Sequence, residues 1–498
     1  MILARAVRVA AVVLVVLALV GVPWDADFDG AWVIGPGPHD CDDRDAAIHP
    51  GAVDVPLDGV DQDCDGRDSA RGSSVVLITI DTLRARNLGA YGYARPTSPH
   101  IDALAAEGAL FLHAYSSSSW TIPSLASLLT SRHPSQHRTV LARSALPEDL
   151  PFLPDLMQAA GYDTAVYIQS AYPLLTMGFA RGFDLMERPA GYKTPQILQW
   201  LREHQDRPFF LWVHYAEPHT PYRPSRKYDG MFVPERLADH PDIARYWDRA
   251  ECQQEYDADA DAARLRMGFY DERIREADDK VGQILRELDV LGIRRKTLVV
   301  LSADHGEEFF EHRGCDHGQT FYDEVLHVPL MMRHPSLIRP HTRVPEQVRM
   351  IDVAPTILDA LEMPIPASFV GRSLLPLTRH DGPDRPVTGG FLSNSERAVV
   401  IRAHGFKYVW SPNRTALRQR ARQETEELYD LRADPGERNN LAATGHPRLP
   451  LFREKARRWM QRPRPAGPAP TVHFDAATAA RLRALGYLEQ VPAAAAGQ

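Results

Sequence analysis

The sequence lacks a surplus of positive charge. Its 498 residues carry a formal net charge of −8, from 57 Lys and Arg against 65 Asp and Glu. The imbalance falls between Trp24 and Gly72, a segment that holds thirteen Asp, three Arg and neither Glu nor Lys. That segment therefore carries −10, and residues 1–23 carry +2, so the rest of the chain is neutral. A neutral main body gives no sign of the basic surface that a nucleic-acid binder uses, so we expect no nucleic-acid partner.

Cysteine is scarce, with four residues in the whole chain. Cys41 and Cys64 bracket the acidic segment, and we expect them to pair because so small a polar piece cannot build a core of its own. Cys252 and Cys315 lie in the main body, where their spacing does not decide whether they pair. This cysteine content fits an exported protein.

The N-terminus has a basic start and then an apolar run from Val9 to Val22. Its length suits the central region of a signal peptide better than a full membrane span. No clean small-x-small cleavage site follows, so an uncleaved membrane anchor stays open. Residues 1–23 therefore predict export to the periplasm, the cell surface or the medium.

The acidic segment, residues 24–72, repeats the pattern D-x-D-x-D-G at 25–30 and at 61–66. Alternating carboxylates before a glycine turn converge on a hard cation, and Ca²⁺ accepts six to eight oxygens. The closing glutamate of an EF-hand is absent, and a solvated acidic linker is the alternative. The candidate calcium ligands are Asp25, Asp27, Asp29, Asp40, Asp42, Asp61, Asp63 and Asp65.

The stretch DCDDRDAAIHPGAVDVPLDGVDQDCDGRD, residues 40–68, resembles the short disulfide-stapled MopE-like metal-binding motif of exported bacterial proteins. That resemblance implies bound calcium with a structural role, as a rigid spacer outside the catalytic region.

Residues 73–380 alternate strand and helix patterns. VVLITI, PFFLWVHY and KTLVVLSA are apolar runs of the kind found in strands buried on both faces. We expect SPHIDALAAEGALF to be a helix with a glycine break and ARLRMGFYDERIREADDKVGQILRELDVLG to be a helix ending at Gly292. Alternation of this kind predicts an α/β fold, a mostly parallel sheet flanked by helices. Residues 381–490 indicate a small C-terminal α+β subdomain, and 491–498 a disordered tail.

Polar side chains follow the ends of two predicted strands. Asp81 follows VVLITI, and Asp304 with His305 follows KTLVVLSA. In open parallel sheets, sites form at the carboxyl ends of the strands. A mixed nitrogen and oxygen ligand set suits Zn²⁺ or Mn²⁺, and we expect one such ion here. A helix-capping role for Asp81 is the alternative.

Thr121 lies in WTIPSLASLLT, residues 120–130, just before Pro123. The pattern indicates a helix start, with threonine as the N-cap. A helix N-terminus also favours a bound anion or an alkoxide, and a metal ion would lower the pKa of the hydroxyl. We therefore expect Thr121 to be both a nucleophile and a metal ligand. His219 and His317 are candidates for holding ester oxygens or protonating the leaving group; His214 and His312 are weaker candidates.

These motifs make the chain similar to the sulfatase family of the alkaline phosphatase superfamily over residues 73–445. The motifs that carry the resemblance are VVLITIDTLRARNLGAYGY, TSPHIDALAAEGALF, WTIPSLASLLT, HYAEPHTPY, SADHGEEFFEHRGCDHG, VRMIDVAPTILDAL and ELYDLRADPGERNNLA. The resemblance implies that superfamily's fold, a metal held by Asp81, Asp304 and His305, and a nucleophile at Thr121. It places His219 and His317 against the substrate oxyanion.

The chain departs from the sulfatase pattern at the nucleophile. Sulfatases carry C-x-P-S-R, or serine for cysteine, and oxidise that residue to formylglycine. Here the run is T-I-P-S-L, with Leu125 in place of arginine, and Thr82 replaces the second aspartate. The threonine resembles the phospho-transferring branches, such as lipoteichoic-acid synthase-like and phosphoethanolamine-transferase-like enzymes.

We therefore expect an exported, metal-dependent hydrolase or transferase that acts on phosphate or sulfate esters of a small molecule, a lipid head group or a glycan. A sulfatase working without formylglycine is one alternative. A catalytically silent surface protein that attaches through calcium is the other.

Overall fold

The computed structural model describes residues 41–42, 44–50, 52, 54–55, 58, 60–64, 69–169, 174–187, 194–234, 260–312, 314–379, 387–393, 396–411, 426–462, 465, 467 and 469–484. The apolar N-terminal run and the C-terminal tail lie outside these ranges. So do five of the predicted calcium ligands, Asp25, Asp27, Asp29, Asp40 and Asp65. The chain forms two compact units, Met1–Ser73 with Ala360–Glu362, and Ser74–Asp359 with Met363–Gln498.

Fifteen strands lie in the described parts of the larger unit. They are β1 (Ser74–Ile80), β2 (Ala109–Tyr115), β3 (Asp163–Ile168), β4 (Leu185–Glu187), β5 (Phe209–Tyr215), β6 (Thr297–Ala303), β7 (Glu308–Phe309), β8 (Cys315–Asp316), β9 (His327–Val328), β10 (Leu330–Arg333), β11 (Thr342–Arg349), β12 (Val387–Ser393), β13 (Glu396–Ala403), β14 (Phe406–Trp410) and β15 (Glu426–Asp430).

Ten α-helices accompany these strands within the described ranges. They are α1 (Pro99–Ala106), α2 (Thr121–Thr130), α3 (Pro134–His137), α4 (Leu153–Ala159), α5 (Thr194–Glu203), α6 (Ala260–Val290), α7 (Asp323–Leu326), α8 (Val353–Ala360), α9 (Leu449–Met460) and α10 (Ala476–Ala484). Within the same ranges, no helix combines the length and the apolar character that a membrane crossing requires.

A nine-stranded, mostly parallel sheet forms the centre of the larger unit. The strand order is β11-β2-β10-β6-β1-β5-β3-β4, and β9 pairs with β2. Strands β6, β1, β5, β3 and β4 are mutually parallel, while β10 is antiparallel to both of its neighbours. Every residue of β1, β5 and β6 is buried, which explains their unbroken apolar sequences. The predicted fold class is confirmed, and the three strands predicted from these runs are β1, β5 and β6.

The segment SPHIDALAAEGALF corrects one expectation. The helix ends at Ala106, and Ala109 opens strand β2 in place of more helix. Gly108 permits this change because it has no Cβ atom. A Cβ atom at this position would lie 2.1 Å from the Met332 carbonyl oxygen on β10. The glycine therefore marks a close approach of two backbones, not a break within one helix. The long helix α6 ends at Val290, and Gly292 follows with a φ of +69°.

The C-terminal part of the larger unit contains a second sheet. Strands β12, β13, β14 and β15 form an antiparallel sheet in that order. Phe452 and Trp459 of α9 join Val399, Ile401 and Tyr408 of this sheet in one buried cluster. This combination of an antiparallel sheet and a helix agrees with the α+β character expected for residues 381–490.

The smaller unit contains the predicted disulfide. Cys41 and Cys64 are bonded, with a Cα–Cα separation of 5.6 Å. Asp54, Asp61 and Asp63 place one carboxylate oxygen each within 4.8 Å of the others. Asp54 was not singled out from the sequence, and its Oδ1 accepts the backbone N–H groups of Gln62 and Asp63. Asp42, a predicted ligand, does not belong to this three-carboxylate group.

Candidate active site

Three adjacent parallel strands deliver polar side chains to one edge of the central sheet. Strand β1 lies between β5 and β6, with Thr79 in register with His214 on one side and with Ser302 on the other. Asp81 follows β1, and Asp304 follows β6. The sheet topology therefore brings together side chains that are more than two hundred residues apart in the sequence, as expected for the carboxyl ends of parallel strands.

Asp81, Asp304 and His305 are buried and converge on one point. His305 Nε2 lies 3.6 Å from Asp81 Oδ1 and 3.4 Å from Asp304 Oδ2. The His305 Nδ1–H group donates to the Gly306 carbonyl oxygen at 2.9 Å, which leaves the Nε2 lone pair toward the carboxylates. Burial lowers the pKa of His305 to about 4, so the ring is neutral at physiological pH. A neutral imidazole with its lone pair turned inward is the form that binds a metal.

The two carboxylates fit a cation. Among the described residues, the ion pairs give neither Asp81 nor Asp304 a Lys or Arg partner, and Asp81 Oδ1 and Asp304 Oδ2 are buried without a hydrogen bond. Burial and the neighbouring Asp304 carboxylate raise the pKa of Asp81 well above its ordinary value. Two adjacent buried carboxylates are costly unless a positive charge offsets them. These residues therefore fit a divalent metal ion.

Gly306 allows the backbone after β6 to lie close to the backbone at Glu324, because glycine has no side chain. A Cβ atom at this position would lie 2.1 Å from the Glu324 carbonyl oxygen. The Gly306 N–H group donates to the Val325 carbonyl oxygen at 2.9 Å, which ties the loop to the next segment. The backbone after β6 therefore has no room for a side chain at the residue that follows His305.

Thr121 is the first residue of α2, and Trp120 occupies the N-cap position instead. The Thr121 side chain is buried, and its Oγ1 lies 3.3 Å from His305 Nε2. The N–H groups in the first turn of a helix have no acceptor inside that helix, and its dipole favours negative charge there. The geometry thus places the threonine hydroxyl beside the candidate metal ligands, in surroundings that favour an alkoxide or an anion.

Serine side chains hold the start of α2 against the end of β6. Ser124 Oγ donates to the Ser118 carbonyl oxygen at 3.0 Å. Ser116 Oγ donates to the Asp304 carbonyl oxygen at 2.5 Å. Leu125, where the formylglycine pattern has arginine, is fully buried. These contacts fix the position of the Thr121 hydroxyl relative to the end of β6, where Asp304 and His305 lie.

His219 and His317 lie at the same site. The His317 ring centroid is 4.4 Å from that of His305 and 5.0 Å from that of His219. The His219 Nδ1–H group donates to the Thr220 carbonyl oxygen at 2.5 Å, and burial lowers the pKa of His219 to about 3. His219 is therefore neutral, and its Nε2 is an acceptor.

His317, unlike His219, is expected to be positively charged. Its Nδ1 lies 2.8 Å from Asp316 Oδ1 and 3.0 Å from Glu307 Oε1. Burial opposes a charge on the ring, but these two carboxylates outweigh it and raise the pKa of His317 well above its ordinary value. The imidazolium form is therefore stable in the site, with Nδ1–H bound to carboxylates and Nε2–H available as an acid.

Glu307 and Asp316 were not expected from the sequence to take part. Both are buried, and the two-residue strands β7 and β8 bring them to the His317 ring by pairing Glu308 with Asp316. His312, a weaker candidate, is directed elsewhere: its Nδ1 contacts Glu324 at 2.5 Å, and its Nε2 lies 3.1 Å from backbone carbonyl oxygens of residues 436 and 437. His312 therefore ties the loop to the C-terminal region instead of joining the site.

This arrangement suits cleavage of an anionic ester, and comparisons with known proteins agree. The sulfatase family model matches residues 73–363, more than half of the sequence, so the chain belongs to the sulfatase family. The model for the C-terminal part of N-sulphoglucosamine sulphohydrolase matches residues 310–448. A MopE-like metal-binding motif matches residues 40–69. The family and motif recognised in the sequence are both confirmed.

Two curated relatives and one solved structure illustrate the likeness. An ulvan-active sulfatase of Formosa agariphila is 26% identical over 428 residues, covering 75% of this chain and 78% of the relative. A Delta 4,5-hexuronate-2-O-sulfatase of Bacteroides thetaiotaomicron is 26% identical over 419 residues, covering 74% and 84%. The phosphonate monoester hydrolase of Agrobacterium radiobacter shares the fold, with a TM-score of 0.64, 23% identity and coverage of 78% and 95%. The chain is thus a sulfatase-like hydrolase.

Proposed function

We propose that this sulfatase-family hydrolase cleaves anionic esters through a covalent intermediate on Thr121. The observation that carries this proposal is the position of the Thr121 hydroxyl. It is buried at the N-terminus of α2, 3.3 Å from His305 Nε2 and beside the convergent carboxylates of Asp81 and Asp304.

A divalent cation, Zn²⁺ or Mn²⁺, would be held by Asp81, Asp304 and His305, with Thr121 Oγ1 as a further donor. Such an ion lowers the pKa of a hydroxyl and offsets negative charge on an ester oxygen. The remaining tasks belong to the side chains around it. The first turn of α2 presents N–H groups to the transferred group's oxygens.

The residues divide the proton transfers between them. Thr121 releases its hydroxyl proton to solvent and reacts as the alkoxide, so that its Oγ1 forms a bond to the central phosphorus or sulfur while the bond to the alcohol oxygen breaks. The departing oxygen takes a proton from His317, whose charge is maintained by Asp316 and Glu307. A water molecule then attacks the threonine ester and gives its proton to His219 Nε2, since that ring is neutral. Thr121 Oγ1 leaves as the alkoxide, and the proton that His219 took from water passes to the neutral His317, whose ring centroid lies 5.0 Å away, so both rings return to their starting charge.

Phosphate esters are the first choice of substrate. The site has a threonine in place of the formylglycine precursor, and Leu125 is buried where that pattern has arginine. Threonine nucleophiles occur in the phospho-transferring branches that the sequence resembles. Sulfate esters are the second candidate, because both curated relatives are named as sulfatases. Transfer to an acceptor hydroxyl differs from hydrolysis only in the group that resolves the intermediate.

A substrate panel with variants of α2 tests the proposal. Purified protein is assayed on aryl phosphate, phosphodiester and aryl sulfate substrates, before and after chelation. We expect Thr121→Ala to lose about 10⁴-fold or more in kcat, the scale seen when a nucleophile is deleted, and Thr121→Ser to keep part of the activity. Thr130→Ala is the matched control, since Thr130 is buried at the other end of the same helix. Activity that survives both chelation and Thr121→Ala would refute the proposal.

The smaller unit is proposed to bind calcium as a structural element of an exported protein. The support is the Cys41–Cys64 bond and the convergence of Asp54, Asp61 and Asp63. Calorimetric titration of Ca²⁺ into wild type and Asp63→Asn tests it, and equal affinities would contradict it. Export itself is tested by locating the protein in cell fractions, where retention in the cytoplasm would contradict it.

A further inference from the structure

His214 is a buried imidazole beside the two carboxylates, and the mechanism above gives it no task. It lies on β5, with its Nε2 3.9 Å from Asp81 Oδ2. One ligand atom each from Asp81, His214 and Asp304 lies within 4.8 Å of the others. Within the described residues, His214 Nε2 is a buried nitrogen without a hydrogen-bond partner, next to two carboxylate oxygens in the same condition.

Thr79 orients this ring, and the hydrogen-bond partners of its hydroxyl bear on the tautomer. Its Oγ1 lies 2.9 Å from His214 Nδ1, accepts the Trp212 Nε1–H group at 2.9 Å, and lies 3.5 Å from the Val213 carbonyl oxygen. A hydroxyl donates one hydrogen and accepts two. If Thr79 donates to Val213, it accepts from both Trp212 and His214, so Nδ1 carries the hydrogen. The His214 Nε2 lone pair then faces the carboxylates.

The opposite tautomer fits the distances poorly. It would place a hydrogen on Nε2 without an acceptor at hydrogen-bond distance. The 3.9 Å from His214 Nε2 to Asp81 Oδ2 exceeds the donor–acceptor distance of N–H···O bonds, which is about 2.7–3.2 Å. By contrast, neighbouring donors that share one metal ion with bonds of about 2.0–2.2 Å lie roughly 3–3.6 Å apart, whether four or five groups bind it. His214 Nε2 lies 3.9 Å from Asp81 Oδ2, and His305 Nε2 lies 3.6 Å from Asp81 Oδ1 and 3.4 Å from Asp304 Oδ2, so these three separations are near that range.

We propose that His214 Nε2 is an additional ligand of the metal held by Asp81, Asp304 and His305, and that Thr79 is its positioning residue. This inference deepens the proposed function and depends on its metal site. It also accounts for a missing donor, because Thr82 occupies the place where the sulfatase pattern has a second aspartate. Two imidazoles with two carboxylates favour Zn²⁺ or Mn²⁺ over Ca²⁺, which prefers an all-oxygen shell.

X-ray absorption of the Zn²⁺-loaded wild-type protein tests the ligand set without any substitution. The measurement is made with excess Ca²⁺ present, so that the acidic N-terminal segment does not take up zinc. We expect the scattering signature of two imidazoles per zinc. One imidazole per zinc in the wild-type protein would overturn the proposal, even if no variant could be purified.

Zinc affinity of variants, measured by competition with a coloured chelator, tests the same claim independently. We expect His214→Ala to bind Zn²⁺ at least tenfold more weakly, and Thr79→Val to lose about 10- to 100-fold, as for other groups that orient a ligand. His137→Gln is the matched control, because His137 is equally buried but hydrogen-bonds to Ser127 and Thr139. Unchanged affinity in a folded His214→Ala protein would refute the proposal.

Neither the X-ray absorption nor the zinc affinity depends on turnover, so failure of the His214 proposal can be distinguished from failure of the proposed function. Two imidazoles on zinc together with no ester cleavage would contradict the proposed function alone. Ester cleavage that requires Thr121 together with one imidazole on zinc would contradict the role of His214 alone.

Discussion

Replacing Glu307 by glutamine removes one of the two carboxylates that stabilise the charge on His317. The Glu307 side chain is fully buried, and its Oε1 lies 3.0 Å from His317 Nδ1. Glutamine has the same shape and keeps an acceptor oxygen, so the contact remains while its charge is lost. Asp316 stays in place, with its Oδ1 2.8 Å from the same nitrogen. The substitution therefore weakens the imidazolium without emptying the pocket.

The sign of the effect follows from the charge of the ring. The pKa of His317 is raised in the folded protein, so the acid form is present at low pH and is lost as pH rises through that pKa. Without Glu307 the acid form is lost at a lower pH. A hydrogen bond to a charged group contributes about 1.5–3 kcal/mol. That corresponds to a loss of about 10- to 150-fold in kcat/KM at pH values where the wild-type ring is still charged and the variant ring is not.

The assay is the pH profile of kcat/KM for an aryl ester. We expect the high-pH limb of the Glu307→Gln profile to move to lower pH. Glu308→Gln is the matched control, because this adjacent buried carboxylate accepts hydrogen bonds from Thr320 and Gly314 and not from His317. A limb that keeps its position in Glu307→Gln, or that moves equally in both variants, would refute the role given to His317.

Three further outcomes are expected from single substitutions. Gly306→Ala should lower the free energy of unfolding in urea by about 1–3 kcal/mol, because its Cβ would overlap the Glu324 carbonyl oxygen; an unchanged midpoint would contradict this. Although burial opposes this rise, Glu324 raises the pKa of His312 to about 9. The stability that charged His312 contributes is therefore complete below its unfolded pKa of 6.5 and is lost as pH rises through about 9. The stability difference between wild type and His312→Gln should thus be larger at about pH 6 than at about pH 10, and a constant difference would exclude the charge as its cause. Leu125→Arg should destabilise by about 3–5 kcal/mol as an unpaired buried charge, whereas Leu125→Met should cost less than about 1.5 kcal/mol; equal melting temperatures would contradict the burial of this position.

The positions of the proposed metal ligands could be predicted because each residue follows a strand with a clear sequence pattern. Strands β1 and β6 are continuous apolar runs, and the polar residues directly after them, Asp81 and Asp304–His305, had to lie at the same edge of a parallel sheet. Thr121 could be placed from its helix-start pattern together with the family resemblance. The structure adds that it is the first helical residue and not the cap.

The partners of His317 could not be predicted. Glu307 and Asp316 reach that ring through β7 and β8, which have only two residues each and so carry no periodic pattern. Strand β2 was missed for a related reason, because ALF continues the apolar pattern of α1 and only the backbone contact at Gly108 distinguishes the two. The contact of His214 with Asp81 could not be predicted, because β5 is buried throughout and its sequence does not show on which face of the sheet the His214 side chain lies.

The covalent intermediate on Thr121 is the central claim, and rapid-quench peptide mass spectrometry tests it most directly. The His219→Gln variant, in which water attack is slowed, is mixed with an aryl phosphate or an aryl sulfate and quenched during the first turnover. We predict a phosphoryl or sulfuryl adduct on the peptide that contains Thr121, present with metal and absent after chelation. Product release without any adduct on that peptide, or an adduct on a different residue, would contradict the account.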